Sequence, residues 1–450
     1  MEVICQANPR IFQMLKKFNR TGENYRLLKY CVHTRTDDGI LLLNLLTREM
    51  LLLSESEFEY KKDNAYLKEH MFLVPEVCNE REYADFVKWM MATMQKQSKN
   101  ITHYTIFPTT DCNARCFYCF ELGRSRIPMS EETAKKTAAY IKAHCGGNEV
   151  GIKWFGGEPL YNLAAIDTIS DELARSGITF KAHMVSNGYL FDEELVRKAV
   201  EKWHVTRVQI TLDGTERVYN KIKAYIYKEG NPYRRVLHNI RLLLDAGISV
   251  QIRLNLDLHN ADDLLMLVDE IGEQFQDRKG LYVYAHHLFS ANSPMAMMHS
   301  DEEWDKRDAA MRKLENKMDA WHLSPQRGVA KSLKRNNCMA DSDSSVTILP
   351  DGNIGVCEHF SENEFIGHLD KEDFDSAVVA SWKEKIEEIP ACADCFYYPE
   401  CTKLKKCVSN SVCFAQIRND HLNKTKRAMR DEYWRWKNKT TVETVDDELC

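Results

Sequence analysis

Between residues 103 and 290, short apolar runs alternate with longer segments in which apolar residues recur at helical spacing. The short runs are rich in β-branched and aromatic residues and predict strands at 104–108, 150–155, 180–185, 207–212, 250–256 and 281–284. The longer segments predict helices at 130–144, 163–175, 192–202, 233–245 and 262–274. Strands that alternate with helices form right-handed crossovers, so we expect a parallel sheet, arranged as a partial barrel or as a doubly wound sheet.

The first hundred residues have a mixed pattern. Apolar runs at 25–31 and 40–53 predict short strands, Ser54 precedes Glu57 at capping-box spacing, and 81–97 has helical periodicity. We predict a small strand and helix module. It either extends the packing of the main domain or grips a partner peptide along an exposed sheet edge.

Two further helices are predicted towards the C-terminus, a bridging helix at 301–322 and a charged helix at 416–436 that precedes an acidic end. Together these patterns predict four parts. They are an N-terminal module at 1–100, a barrel at 101–325, a cysteine-rich domain at 326–415, and a C-terminal helix with an acidic tail at 416–450.

The composition narrows the class of protein. Of the 450 residues, 44% are hydrophobic and 28% are charged, and no run approaches the ~20 apolar residues of a membrane span. The N-terminus lacks a basic segment followed by an apolar one, so we expect a cytoplasmic protein without a membrane partner. The net charge of −6 does not indicate the basic surface that nucleic-acid-binding proteins have, so we expect no nucleic-acid partner. Ten of the 15 cysteines fall into two groups, which favours metal sites over disulfides.

The first cysteine group follows the first predicted strand directly. Cys112, Cys116 and Cys119 have the spacing Cys-x3-Cys-x2-Cys, and three thiolates so close in sequence can each bind one corner of an iron-sulfur cube. The fourth iron then has no protein ligand and is open to chemistry. A zinc site and a trio of core cysteines are the alternatives, although structural zinc prefers four protein ligands and inert core cysteines have no reason to cluster.

Polar residues follow the later strands, where ligands bind in parallel α/β folds. Gly156-Gly157-Glu158-Pro159 comes after the second strand, Ser186 and Asn187 after the third, and Asp213 after the fourth. The fifth strand carries Arg253 and Asn255. Any one of these residues alone is typical of an ordinary turn or strand end. Because they recur at the same end of successive strands, together they indicate a ligand site there.

With these residues assembled, the chain resembles a radical S-adenosylmethionine enzyme. Cys112, Cys116 and Cys119 match the motif that binds that superfamily's 4Fe-4S cluster, and Tyr118 matches the aromatic residue beside the adenine. Other motifs correspond to further cofactor contacts: Gly156, Gly157, Glu158 and Pro159 to the amino group of S-adenosylmethionine, Ser186 and Asn187 to the ribose or carboxylate region, and Arg253 to the carboxylate. The resemblance implies a partial (β/α)6 barrel and a 5′-deoxyadenosyl radical that abstracts hydrogen from an unactivated carbon.

The second cysteine group resembles a SPASM domain, which carries one or two auxiliary 4Fe-4S clusters in peptide-modifying radical enzymes. Its cysteines are Cys338, Cys357, Cys392, Cys395, Cys401, Cys407 and Cys413. The gap from Cys401 to Cys407 is longer than the family pattern and the gap to Cys413 is shorter. The family's interleaved pattern implies two ligand sets. Cys338, Cys357 and Cys407 would bind the nearer cluster, and Cys392, Cys395, Cys401 and Cys413 would bind the farther one. The nearer cluster then keeps an open iron, unless Cys5, Cys31, Cys78, Cys145 or Cys450 completes it.

The resemblance implies an enzyme that matures a ribosomally made precursor peptide, with electrons from a flavodoxin- or ferredoxin-type donor of low potential. We expect a thioether cross-link, with a carbon-carbon cross-link as the close alternative. Oxidation of a cysteine or serine to formylglycine, as in sulfatase activation, is a second alternative, and a non-catalytic electron carrier or scaffold is a third. Asp213 is the candidate proton acceptor, and His286 and His287 are weaker candidates.

Overall fold

The computed structural model describes residues 1–18, 21–95, 100–119, 121–276, 278–288, 301–325, 327–331, 338–358, 364–371, 374–407, 413 and 415–438. The predicted acidic end, at 442–450, lies outside these residues, and so does its last residue, Cys450. No helix of the described ranges is long and apolar enough to cross a membrane.

The N-terminal module contains two small sheets. Its strands are β1 (Glu2–Cys5), β2 (Tyr25–Leu27), β3 (Cys31–Thr36), β4 (Gly39–Asn44), β5 (Met50–Leu53) and β6 (Leu73–Pro75), and its helices are α1 (Pro9–Lys16), α2 (Glu55–Glu59), α3 (Ala65–Glu69) and α4 (Glu80–Gln95). An antiparallel sheet has the order β1-β5-β4-β3, and β2 pairs with β6. The predicted capping box is present, because Ser54 and Glu57 exchange side-chain to backbone hydrogen bonds at the start of α2.

The main domain alternates strands and helices as the pattern predicts. Its elements are β7 (His103–Thr109), α5 (Glu131–His144), β8 (Val150–Gly156), α6 (Leu163–Arg175), β9 (Phe180–Ser186), α7 (Glu193–Glu201), β10 (Val205–Leu212), α8 (Glu216–Lys223), α9 (Pro232–Asp245), β11 (Ser249–Leu256), α10 (Ala261–Phe275) and β12 (Leu281–His287). Helix α8 was not predicted, because its short sequence is mostly polar.

The order of the strands decides between the two predicted architectures. Strands β7 to β12 are parallel and lie side by side in chain order. A doubly wound sheet would reverse direction at a switch point, so this singly wound order corresponds to the partial (β/α)6 barrel. The barrel is open, because β7 pairs on its free side with a strand from the C-terminal region.

The C-terminal region extends that sheet. Its elements are α11 (Asp301–Ala320), β13 (Ser345–Ile348), β14 (Asn353–Gly355), β15 (Gly367–His368), α12 (Ser376–Trp382) and α13 (Ala415–Asn438). Strand β13 runs parallel to β7, and β14 and β15 follow antiparallel, which gives a sheet of nine strands among the described residues. The cysteine-rich region is therefore joined to the barrel through backbone hydrogen bonds.

Helix α13 connects the two ends of the chain. Arg430 Nη2 donates to Thr34 Oγ1 of β3 at 2.9 Å, and the Tyr433 hydroxyl bonds Asp38 in the turn that follows. On another face of the helix, Asp431 accepts a hydrogen bond from the backbone N–H of Arg327 at 3.1 Å. The predicted charged helix thus packs between the N-terminal module and the segment that leaves the barrel.

Candidate active site at the carboxyl end of the parallel strands

The cysteine loop lies directly after β7, where the strand pattern predicts it. All three thiols are partly buried and none is in a disulfide. The backbone N–H of Ala114 donates to Cys112 Sγ at 3.3 Å, and Asn187 Nδ2 approaches the same sulfur at 3.7 Å. Such N–H contacts stabilise a thiolate.

Burial, together with the charges of Glu158 and of the neighbouring Cys116 and Cys119, raises the pKa of the Cys112 thiol to about 12. Burial also raises the pKa of Cys116 and of Cys119. The three sulfurs are therefore within electrostatic reach of one another, and a bound cation is needed to keep all three deprotonated.

This donor set fits a 4Fe-4S cluster. Within the described ranges, no three Cys, His, Asp or Glu side chains lie close enough to hold a single metal ion. A 4Fe-4S cube does not require that, because each thiolate binds a different iron atom. Cys112, Cys116 and Cys119 would hold three of the irons.

The predicted Gly-Gly-Glu-Pro motif packs against the cysteine loop. The backbone N–H of Gly157 donates to the Thr109 carbonyl at 3.1 Å, and that of Glu158 donates to the Asp111 carbonyl at 2.9 Å. Gly156 has a φ of +114°, and a Cβ there would lie 2.3 Å from the Thr109 oxygen. Glycine is therefore required by close approach to the protein's own backbone.

Glu158 joins three strand ends. Its carboxylate is fully buried and accepts hydrogen bonds from Ser186 Oγ at 2.9 Å, the Asn187 N–H at 2.8 Å and the Leu160 N–H at 3.2 Å. Burial raises the pKa of Glu158 to about 7, despite these three donors. Pro159 follows as the first residue of a short 3-10 helix, Pro159–Asn162, and is itself buried.

Ser186 and Asn187 lie beside the cysteine loop, and their assignment to S-adenosylmethionine stays a prediction. Ser186 is buried, and Asn187 Nδ2 donates to Asn113 Oδ1 at 2.6 Å. The side chain of Asn187 thus reaches from the end of β9 to the residue that follows Cys112. Its amide oxygen accepts a hydrogen bond from the backbone N–H of Tyr189 at 3.0 Å.

Tyr118 belongs to a polar network that the sequence only partly indicated. Its hydroxyl donates to Asp213 Oδ2 at 2.8 Å and accepts a hydrogen bond from Lys223 Nζ at 3.0 Å. Lys223 also forms an ion pair with Asp213 at 2.9 Å, with both side chains almost fully buried. No local pattern singled out Lys223, because it is the last residue of the unpredicted helix α8.

Asp213 is saturated with protein contacts. Its Oδ2 contacts Tyr118 and Lys223. Its other carboxylate oxygen, Oδ1, accepts a hydrogen bond from Asn255 Nδ2 at 2.8 Å. Its assignment as a proton acceptor stays a prediction, and a buried ion pair is a poor starting state for one. Arg253, the predicted carboxylate ligand, donates from Nε to Asn255 Oδ1 at 3.0 Å and so borders the same network.

The inner face of the barrel is polar. Along β10, Val208, Ile210 and Leu212 are buried while the alternating positions, including Gln209, are less so. Tyr284 of β12 donates to Gln209 Oε1 at 2.7 Å across the intervening strand. His286, at the end of β12, is opposite Asn255 in the register of β11.

The seven later cysteines fall into two places. Four of them line a cavity of about 370 Å³: Cys392, Cys395, Cys401 and Cys413. The other three, Cys338, Cys357 and Cys407, pack against the core of the main domain. The division of these cysteines into a farther and a nearer ligand set stays a prediction.

The remaining described cysteines are elsewhere. Cys5, Cys31 and Cys78 pack against the core of the N-terminal module. Cys145 is buried where α5 leads to the amino end of β8, opposite the cysteine loop. These positions leave the proposed open iron of the nearer cluster without an additional cysteine among the described residues.

The chain is similar to known proteins in sequence and in fold. Residues 106–271 match the model of the radical SAM superfamily. Over 132 residues the chain is 29% identical to the uncharacterized protein MJ0907 of Methanocaldococcus jannaschii, an alignment that covers 29% of this chain and 44% of that protein. The aligned part thus spans less than half of that relative.

Three solved structures resemble the chain. Native anSMEcpe with bound AdoMet has a TM-score of 0.56 at 14% identity, and its complex with AdoMet and the Cp18Cys peptide has a TM-score of 0.55 at 14% identity; each covers 75% of this chain and 98% of that chain. SuiB of Streptococcus suis has a TM-score of 0.49 at 14% identity and covers 84% of this chain and 94% of its own. At these identities the likeness to anSMEcpe establishes the fold. The match to the radical SAM superfamily model spans residues 106–271, which contain the three-cysteine loop and the ends of the strands that follow it.

Proposed function

We propose that this chain is a radical S-adenosylmethionine enzyme that modifies a ribosomally made peptide, with a thioether cross-link as the product. The observation that carries the proposal is the grouping of seven cysteines into two sets beside a radical SAM domain. The fold resemblance to anSMEcpe, which has been solved with bound AdoMet and the Cp18Cys peptide, supports a peptide substrate. Carbon-carbon cross-linking and formylglycine formation remain the alternatives for the same domains.

When bound, the cluster and S-adenosylmethionine supply the radical chemistry. The chain holds the cluster through Cys112, Cys116 and Cys119. We assign the amino group of S-adenosylmethionine to the backbone of the Gly156–Glu158 turn, since the Glu158 carboxylate already accepts three protein hydrogen bonds. Arg253 is assigned to its carboxylate and Tyr118 to its adenine.

The two auxiliary ligand sets have different proposed roles. Four thiols around one cavity suffice to ligate a complete cluster, so the farther set is assigned to electron transfer. The nearer set offers three, which leaves an iron to bind the thiolate of the substrate cysteine. The N-terminal module is assigned to the leader of the precursor peptide, and a flavodoxin or ferredoxin supplies the electrons in the cytoplasm.

The test is anaerobic incubation of the reconstituted enzyme with S-adenosylmethionine, reductant and the small peptide encoded beside it. Fragmentation mass spectrometry then locates any change. Loss of two hydrogens together with the free thiol supports a thioether, whereas the same loss with the thiol retained supports a carbon-carbon bond. An unchanged peptide rules out maturation of that peptide, and absence of 5′-deoxyadenosine under strong reduction favours a non-catalytic iron-sulfur protein.

Mössbauer spectroscopy tests the open iron separately. Addition of a cysteine-containing peptide should change the signal of a unique iron site. A matched peptide with serine in place of cysteine should leave that signal unchanged. Equal spectra with both peptides would count against thiolate binding at the nearer cluster.

A further inference from the structure

Lys223 is a buried cation at the edge of the candidate site. It is 2% exposed and ends helix α8. Its ammonium contacts Asp213 Oδ2 at 2.9 Å, Tyr118 OH at 3.0 Å and Thr211 Oγ1 at 2.6 Å. An ammonium has three donors, so all of them are used, and the geometry of the group is fixed.

The main chain of Lys223 holds the cysteine loop as well. The backbone N–H of Arg115 donates to the Lys223 carbonyl at 2.8 Å. Arg115 immediately precedes Cys116, and Tyr118 immediately precedes Cys119. A single residue of α8 therefore contacts the loop on both sides of Cys116, once through its backbone and once through its side chain.

The same network continues to the next strand. Asp213 accepts from Asn255 Nδ2 at 2.8 Å, and Asn255 Oδ1 accepts from Arg253 Nε at 3.0 Å. Tyr118 and Arg253, the residues assigned to the two ends of S-adenosylmethionine, are thus joined through Asp213 and Asn255. Lys223 is a cation that bonds both Tyr118 and Asp213 within this network.

We propose that Lys223 is a positioning residue for S-adenosylmethionine cleavage, which fixes Tyr118 against the cysteine loop and places a positive charge beside Cys116. The inference rests on the S-adenosylmethionine site of the proposed function. A cluster with three thiolate ligands gains negative charge on reduction, and the Lys223 ammonium offsets the charge of the Asp213 carboxylate, which on its own would oppose that reduction. The charge acts in a buried setting where solvent screens it little.

The test compares two variants with a matched control. Lys223→Gln removes the cation and leaves Asp213 charged. Because a buried unpaired carboxylate can unfold the chain, Lys223→Met/Asp213→Asn removes both charges and keeps a polar group beside Tyr118. Lys221→Met, at an exposed position of the same helix, is the control.

Three quantities are measured anaerobically on the reconstituted proteins without any peptide: iron content, the Kd for S-adenosylmethionine and the midpoint potential of the cluster bound by Cys112, Cys116 and Cys119. We expect full iron content and about tenfold weaker S-adenosylmethionine binding in the double variant. The midpoint potential of this cluster should be most negative in Lys223→Gln, where the Asp213 carboxylate remains without the Lys223 ammonium. Lys221→Met should equal the wild type in all three.

Wild-type affinity in the double variant overturns the proposal. So does loss of its iron, because Lys223 would then be needed for the loop to fold, and so does a wild-type potential in Lys223→Gln. A wild-type protein that binds no S-adenosylmethionine refutes the proposed function instead. If the wild-type protein binds S-adenosylmethionine but leaves every peptide unchanged, that result contradicts only the proposed substrate.

Discussion

Gly157 lies against the carbonyl of Asp111, so closely that a Cβ at position 157 would be 2.2 Å from the Asp111 oxygen. The next residue, Glu158, donates its backbone N–H to that same oxygen at 2.9 Å. The carbonyl belongs to the residue immediately before Cys112. The turn after β8 is thus in direct backbone contact with the residue that precedes Cys112, the first predicted cluster ligand.

Gly157→Ala should therefore displace the cysteine loop. Neither backbone can move freely, because both are hydrogen-bonded, so we expect reduced iron incorporation and loss of S-adenosylmethionine cleavage. Iron content and 5′-deoxyadenosine formation measure the two effects.

The control for this variant is Gly247→Ala, which has a φ of +81° and no heavy atom within 4 Å of the added Cβ. Backbone strain there should cost about 1 kcal/mol of stability and leave iron binding unchanged. Equal iron loss in both variants would attribute the effect of Gly157→Ala to general destabilisation.

Removal of single cysteines should separate the two kinds of cluster. Cys116→Ala deletes one of the three proposed ligands of the S-adenosylmethionine-binding cluster and should abolish S-adenosylmethionine cleavage. Cys357→Ala affects the nearer auxiliary set, so uncoupled cleavage should continue in part while peptide product is lost. Chromatography of 5′-deoxyadenosine and mass spectrometry of the peptide give both readouts. If both variants lose all cleavage, the auxiliary ligands are needed for the overall fold and the separation of roles fails.

Local sequence patterns predicted the strands and the ligand loop, because each depends on a short run of residues. Cys112, Cys116 and Cys119 are within one loop, and the six barrel strands have apolar runs of their own. The connection of β13 to β7 has no such signal, because the two strands are more than two hundred residues apart in the chain. Lys223 was missed for a similar reason. A lysine at the end of a polar helix looks solvated until the tertiary fold brings Asp213, Tyr118 and Thr211 around it.

The assignment of Glu158 shows a different limit. The motif identified the residue, but its carboxylate is buried among Ser186, Asn187 and Leu160. The sequence indicates which residues surround the site, whereas burial and hydrogen bonding decide whether a side chain or a backbone group faces the ligand.

A buried ion pair joins the barrel to the cysteine-rich region. Lys153 Nζ of β8 lies 2.8 Å from Glu358 Oε1, next to Cys357, and the two side chains are 10% and 12% exposed. Lys153→Met should destabilise the protein by about 3 kcal/mol, since it leaves the Glu358 carboxylate buried without its cation. The midpoint of thermal unfolding measures the loss.

The double variant Lys153→Met/Glu358→Gln is the control for that interpretation. It removes both charges of the pair and should recover most of the stability. No recovery would mean that packing of the lysine stem, rather than its charge, accounts for the loss.

His286 should make the fold sensitive to mild acid. Burial, with the neighbouring cation Arg253 as a second cause, lowers the pKa of His286 from 6.5 to about 3, and Lys424 and His287 add to this effect while a hydrogen bond with the His287 carbonyl opposes it. The folded state therefore keeps the imidazole neutral where the unfolded chain takes up a proton. Stability from this residue is complete above pH 6.5 and is lost as the pH falls towards 3.

The expected slope below pH 6.5 is up to about 1.4 kcal/mol per pH unit. His286→Gln should remove it, so the variant should lose less of its thermal midpoint than the wild type between pH 7.5 and pH 5. His259→Gln, at an exposed position, should retain the wild-type acid sensitivity. A partly buried imidazole gains a proton only if the fold relaxes around it. If the thermal midpoints of the wild type and of His286→Gln fall in parallel as the pH is lowered, the strand end opens to water before His286 titrates.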